Sequence, residues 1–140
     1  YIGSSISLIQ KTGVLETDFD FQNFYLEGVK DLNSANISHL LHFQITYNSS
    51  NKREYSSANL CNEWNRCESE NLEFISVSIN ASNCTSSNCD YVEVMRISLA
   101  DDFLKDFVDK GFQIRLNSKK KTTKVKVPNA YLMGYLKATK

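Results

Sequence analysis

Residues 38–47 read Ser38-His39-Leu40-Leu41-His42-Phe43-Gln44-Ile45-Thr46-Tyr47. In an extended chain Leu41, Phe43, Ile45 and Tyr47 share one face, and Leu40, His42, Gln44 and Thr46 share the other, because successive side chains of a strand alternate. So sustained an alternation predicts a strand with one face in a core. Further along, Phe112, Ile114 and Leu116 point inward against Gln113, Arg115 and Asn117, and Val125 and Val127 alternate with Lys124 and Lys126. The turn between these two runs, Ser118 to Thr122, holds Lys119, Lys120 and Lys121 and predicts an exposed hairpin tip. Over 74–80 the same period places Ile75, Val77 and Ile79 on the inner face, opposed by Ser76 and Ser78.

The stretches 5–10, 19–29 and 90–97 are less regular. Phe19, Phe21, Phe24, Tyr25, Leu26 and Val29 fall on both faces, which predicts either a strand covered on both sides or a bulge. Two helices follow from the 3.6-residue period. Ser98 is placed as an N-cap with Asp101 three positions on, and Phe103, Leu104, Phe107 and Val108 form one stripe that Gly111 ends. Pro128 opens the second helix, with Tyr131, Leu132, Tyr135 and Leu136 on its buried side. The expected fold is α+β: a mainly antiparallel sheet or sandwich of six to eight strands, with helices at about 99–110 and 128–138.

The chain has 140 residues, 41% hydrophobic and 23% charged, which fits one domain over residues 1–140 with its own core. Sixteen Lys and Arg balance sixteen Asp and Glu, so no whole-chain field collects nucleic acid or anionic lipid. No run of eighteen apolar residues predicts a membrane-spanning helix. The chain opens on Tyr1, which predicts a processed piece whose signal peptide or lipid-anchor cysteine, if there was one, has been removed.

Four cysteines fall in two close pairs, Cys61 with Cys67 and Cys84 with Cys89. Two local disulfides suit that spacing, though four cysteines allow three connectivities. Free buried thiols and a zinc site are the rival readings. The C-x5-C and C-x4-C spacings are wider than the knuckles structural zinc prefers. A Cys61–Cys67 bond requires an irregular loop around Asn62, Trp64 and Asn65. Disulfides would imply an oxidising compartment. Four N-x-S/T sequons, at Asn36, Asn48, Asn80 and Asn83, carry little weight beside fourteen asparagines.

Chemistry-bearing patterns are sparse. His39 and His42 fall on opposite faces of one strand, cannot jointly grip a metal, and are expected to be solvated or at a rim. No serine sits in G-x-S-x-G. Cys61 or Cys67 near His42 would make a thiol nucleophile only if unbonded. Asp18 and Asp20 share a face beside Phe19 and Phe21, and Glu16, Glu68, Glu70, Asp101 and Asp102 are further carboxylates. Asp18 and Asp20 suit a bound cation or glycoside chemistry, with an exposed strand start as the bland reading, and capping explains Asp101 and Asp102. The five glycines are isolated and cradle no phosphate. The cluster Lys119, Lys120, Lys121, Lys124 and Lys126 is the one strong local charge, suited to phosphate, lipopolysaccharide or an acidic partner, or else to a solvated hairpin tip and a protected strand edge. Trp64, between Cys61 and Cys67, is a candidate contact anchor or, equally, a plug lying over the sheet.

A further pattern runs from Tyr55 to the end. It comprises Tyr55-x-Ser57-Ala58 after a strand, Cys84 and Cys89 before Glu93, a short amphipathic helix, Gly111-Phe112-Gln113-Ile114-Arg115-Leu116, and Val127-Pro128 leading to Tyr131 and Gly134. In it the chain resembles a group of small exported bacterial envelope proteins, often lipoproteins, with no assigned activity. Cys61 and Cys67 are not part of that pattern. The resemblance implies a periplasmic or outer-membrane location and an accessory subunit of an outer-membrane secretion assembly. The expectation is thus a non-catalytic interaction domain without cofactor or metal, whose protein partners meet a strand edge, the Trp64 loop or the lysine hairpin. The alternatives are a periplasmic small-ligand-binding module, with the aromatic 19–26 stretch over a pocket, and a thiol- or carboxylate-dependent hydrolase.

Overall fold

The computed structural model describes residues 6–11, 19–30, 33–34, 36–62 and 66–139, with side chains from Gln22 onward. In chain order the elements are β1 (Ile6–Lys11), β2 (Phe19–Lys30), β3 (Ile37–Ser49), β4 (Ser57–Cys61), β5 (Cys67–Asn71), β6 (Glu73–Ser82), β7 (Cys89–Ala100), α1 (Asp101–Phe107), β8 (Phe112–Asn117), β9 (Thr122–Val127) and α2 (Asn129–Ala138). The strands form two antiparallel sheets, ordered β1-β2-β3-β7-β6 and β5-β4-β8-β9. The fold is α+β, as the patterning implies, and β4 and β5 add short strands to those the alternation marks.

β3 is the middle of the first sheet. Its Leu41 lies opposite Leu26 of β2 and Ile97 of β7, and its Phe43 opposite Phe24 and Met95. Leu41, Phe43, Ile45 and Tyr47 are all buried. Ala58, Leu60, Ile114, Leu116, Val125 and Val127 of the second sheet belong to the same core cluster. Each sheet turns one side of buried apolar residues inward, and facing each other is how both remove that side from water. The β2 register is continuous against both neighbours. Phe24 and Leu26 point inward, and Tyr25 points outward, where its ring stacks on His42 with centroids 4.5 Å apart.

β6 departs from its expected facing. Ile75 and Val77 are 45% and 48% exposed, and Phe74 packs against the core instead. A register shift against β7 between Ser76 and Ser78 leaves Val77 in a bulge and returns Ile79 to the inner side, opposite Glu93. One extra residue flips every later side chain, so an apolar alternation within β6 does not lie on one face.

α1 is shorter than 99–110. Ser98 remains in β7, opposite Leu40 and Glu73, so it is not an N-cap; Ala100 precedes the helix without a side-chain cap. Pairing along β3, as far as Ser38 opposite Ala100, claims the residues that would otherwise have coiled. Gly111 ends the helical segment at φ +74°, its N–H donating to the Phe107 carbonyl at 2.8 Å. Pro128 stands just before α2 rather than in its first turn. Leu132 and Tyr135 of α2 are buried. The Tyr131 hydroxyl accepts the Leu26 N–H at 2.9 Å, and the Tyr131 ring meets Phe24 edge-on. α2 therefore covers the β2 side of the core.

All four cysteines are bonded. Cys61–Cys67 joins the end of β4 to the start of β5, and Cys84–Cys89 closes the loop from β6 to β7. Asn62 and Arg66 close the first turn, with the Asn62 N–H on the Arg66 carbonyl and the Arg66 N–H on the Asn62 side chain. Bonded sulfurs point to an oxidising, exported compartment and leave no thiolate for nucleophilic or metal chemistry.

Candidate binding cleft

The longest loop between the sheets, residues 50–56, is held from below by a buried carboxylate. Glu93, 2% exposed, accepts hydrogen bonds from the Tyr47 hydroxyl and from the N–H groups of Glu54 and Tyr55, at 3.3 and 3.0 Å for the two amides. The Tyr47 oxygen in turn accepts the Arg53 N–H at 2.8 Å. Glu54 has φ +58°, a left-handed turn that aims two successive amides at one carboxylate. The Arg53 guanidinium lies 3.9 Å over the Tyr47 ring and donates to the Tyr55 hydroxyl at 3.1 Å. That hydroxyl also bonds Thr123 of β9, so the loop is tied to both sheets. Burial above all, and then the bond to Glu93, push the Tyr47 phenol well above its ordinary range.

The loop so fixed forms one wall of a cleft of about 760 Å³. Phe74, Ser76 and Ile79 of β6 and Tyr91 of β7 supply its floor. Lys119 and Lys120, at the tip of the β8–β9 hairpin, reach its mouth beside Lys52 and Arg53. The tip is a formed turn: the Ser118 N–H donates to the Lys121 carbonyl at 3.0 Å, and Ser118 Oγ accepts the Lys121 N–H at 2.9 Å. Four cations face one carboxylate, Glu54, among the lining residues. An apolar, aromatic floor beneath a cationic rim suits a guest with carboxylates outside and apolar groups within. The lining includes the hydroxyls of Ser56 and Ser76 but neither a histidine nor a cysteine.

The histidines separate. His42 is on the outer face of the first sheet, 15% exposed beneath Tyr25 and 3.3 Å from a Glu27 oxygen. His39 is not at a rim: it is 0% exposed, with Nδ1 2.8 Å from the Tyr135 hydroxyl and Nε2 2.8 Å from Asp101. The reason is tertiary, since α1 and α2 both cover the end of β3 where His39 faces inward. A carboxylate only accepts, so Nε2 carries the hydrogen of that bond, and in the neutral ring Nδ1 accepts from Tyr135. Lys105 first and His39 second hold the Asp101 carboxyl below the usual carboxylate range. The arrangement joins three elements and opens on none of the clefts described here.

Lys119 and Lys120 thus enter a site, and Lys121 closes the turn behind them. Trp64, Glu16 and Asp18 lie outside the described residues, and Asp20 is in β2 with its side chain outside them. Glu68 and Glu70 are exposed on β5. Phe24 and Leu26 are core residues and line neither this cleft nor a smaller one of about 300 Å³ beside Phe107 and Gly111, and the side chains of residues 19–21 lie outside the described residues. Among the described residues no group of three or more His, Cys, Asp or Glu gathers to hold a metal, and no helix is long and apolar enough to cross a membrane. Sequence reading missed Arg53, Tyr55, Tyr91 and Glu93 as cleft builders. Glu93, a carboxylate on the otherwise apolar core face of β7, was the available signal.

No family model, curated protein or solved structure matches this chain.

Proposed function

We propose that this protein is a non-catalytic interaction domain of the bacterial cell envelope, in the periplasm or at the outer membrane, and an accessory subunit of an outer-membrane-associated secretion assembly. One observation carries the interaction reading: a braced cleft with an aromatic floor and the cations Lys52, Arg53, Lys119 and Lys120 at its mouth. Such a surface binds by burial and charge. The two disulfides support an exported compartment, and the resemblance running from Tyr55 to Gly134 supports the envelope.

The experiment is co-purification of the tagged, disulfide-bonded chain from native membranes, beside Lys119→Glu/Lys120→Glu. One recurring complex is expected with the unaltered chain and its loss with the variant, which should keep its fold because both lysines are exposed. Absence of any recurring complex, or equal recovery by both proteins, would refute the reading.

The cleft volume favours a second reading, a small-ligand-binding module, since about 760 Å³ lies within the roughly 300–1,000 Å³ of such sites. In that case small aromatic or aliphatic carboxylates raise the melting temperature of the isolated protein and the variant abolishes the rise.

A further inference from the structure

We infer that the outer edge of β6 receives an extended, acidic segment of a partner protein as an added strand, whose alternate apolar side chains enter the cleft. This rests on the interaction reading above and names what the cleft holds.

The two sheets have four edges, and β1, uncharged from Ile6 to Gln10, is at the side of the first sheet opposite β6. β9 carries Lys124 and Lys126, and β5 carries Glu68 and Glu70, charges that deter pairing with a passing strand. β6 pairs with β7 alone among the described residues, and from Phe74 to Ser82 it has no charged residue and no proline. A long uncharged edge is a template for main-chain hydrogen bonding.

β6 also supplies the cleft floor. Phe74, Ser76 and Ile79 point into it, so a strand laid along β6 passes over the cavity and drops every second side chain toward Tyr91. The bulge at Val77 divides the edge and leaves Ser78–Ser82 as its longest uninterrupted run.

Charge selects the occupant. Lys52, Lys119 and Lys120 are exposed at the mouth, so carboxylates on the outward positions of the incoming strand would be matched. A second copy of this chain pairing β6 to β6 brings only Glu73 on that strand and leaves the lysines unmatched.

The test uses a displayed library of random twelve-residue peptides selected on the disulfide-bonded protein, followed by amide exchange with the selected peptide. Alternating acidic and apolar residues are expected, with exchange at β6 amides slowed several-fold. Lys119→Glu/Lys120→Glu should weaken binding about tenfold or more, from the summed loss of rim attractions and gain of repulsions. Recovery of no peptide, or of basic ones, overturns the inference. Peptide binding in the cleft with β6 exchange unchanged also overturns it, while leaving the interaction reading intact. So does slowing of β6 exchange with protein concentration as the mass doubles, because the edge then belongs to a second copy.

Discussion

Nε2 of His39 lies 2.8 Å from Oδ1 of Asp101, joining the central strand of the first sheet to the first turn of α1. Through Nδ1 the same ring holds Tyr135 of α2. His39→Ala removes a filled core position and the ring's bond to the Tyr135 hydroxyl. The expected cost is about 2–4 kcal/mol, read as a fall in the urea midpoint. An unchanged midpoint would mean that the ring fastens neither helix.

Asp101 gives this clasp an acid limit. Its carboxyl titrates below the ordinary carboxylate value because Lys105 and then His39 stabilise the ionised form. A depressed folded-state pKa contributes stability that is complete above the unfolded value, about 4, and lost as pH falls through the lowered one. Asp101→Asn should lower stability at pH 7 and flatten the acid limb relative to the unaltered protein. Parallel acid limbs would assign that limb to other groups.

Tyr47 sets the opposite limit. Its phenol is raised by burial first and by Glu93 next, so the folded state keeps a proton that the unfolded chain releases. That stability is fully present below the unfolded value near 10 and declines above it, as the unfolded tyrosine ionises. Tyr47 should stay protonated in a rapid absorbance titration to about pH 11 unless the protein unfolds, and Tyr47→Phe should remove that lagging phenol. Glu93→Gln should ease that ionisation and speed amide exchange at Glu54 and Tyr55.

Two glycines make opposite tests. A Cβ on Gly111 would sit 2.5 Å from the Val127 carbonyl oxygen and 2.9 Å from the Asn129 nitrogen, at φ +74°. Gly111→Ala should cost about 2–4 kcal/mol through strain and backbone collision. Gly134 is inside α2 with nothing within 4 Å of an added Cβ. Gly134→Ala should stabilise by up to about 1 kcal/mol through helix propensity. Thermal melts of the two variants, run together, decide both.

Each disulfide closes a short loop. Replacing Cys61 and Cys67, or Cys84 and Cys89, by serine pairs should cost about 2 kcal/mol in each case by the chain-entropy estimate. Thiol titration of the unfolded, unreduced protein should find no free thiol, and finding any would contradict the pairing.

Much of the frame was readable because it is local. Leu41 to Tyr47, Phe112 to Leu116 and Val125 to Val127 face inward as their alternation requires, and Gly111 stops α1 as its position implies. What escaped depends on distant neighbours. The bulge at Val77 exists only in register with β7, and Ser98 stays extended because β3 continues beside it. His39 is buried by Asp101 and Tyr135, which arrive 62 and 96 residues later. The cleft has no local signature, since Lys119 reads as a solvated tip until residues 51–56 fold against it.

Both sulfur bonds lie within a sheet, Cys61–Cys67 in one and Cys84–Cys89 in the other. Neither rivets one layer to the next. A load that slides the layers apart is resisted by side-chain packing and weak polar links, whereas a load that peels either hairpin meets a covalent stop. The molecule is tough at its corners and yielding through its thickness, so a tethered neighbour pulling on it would spread the layers before it tore a corner.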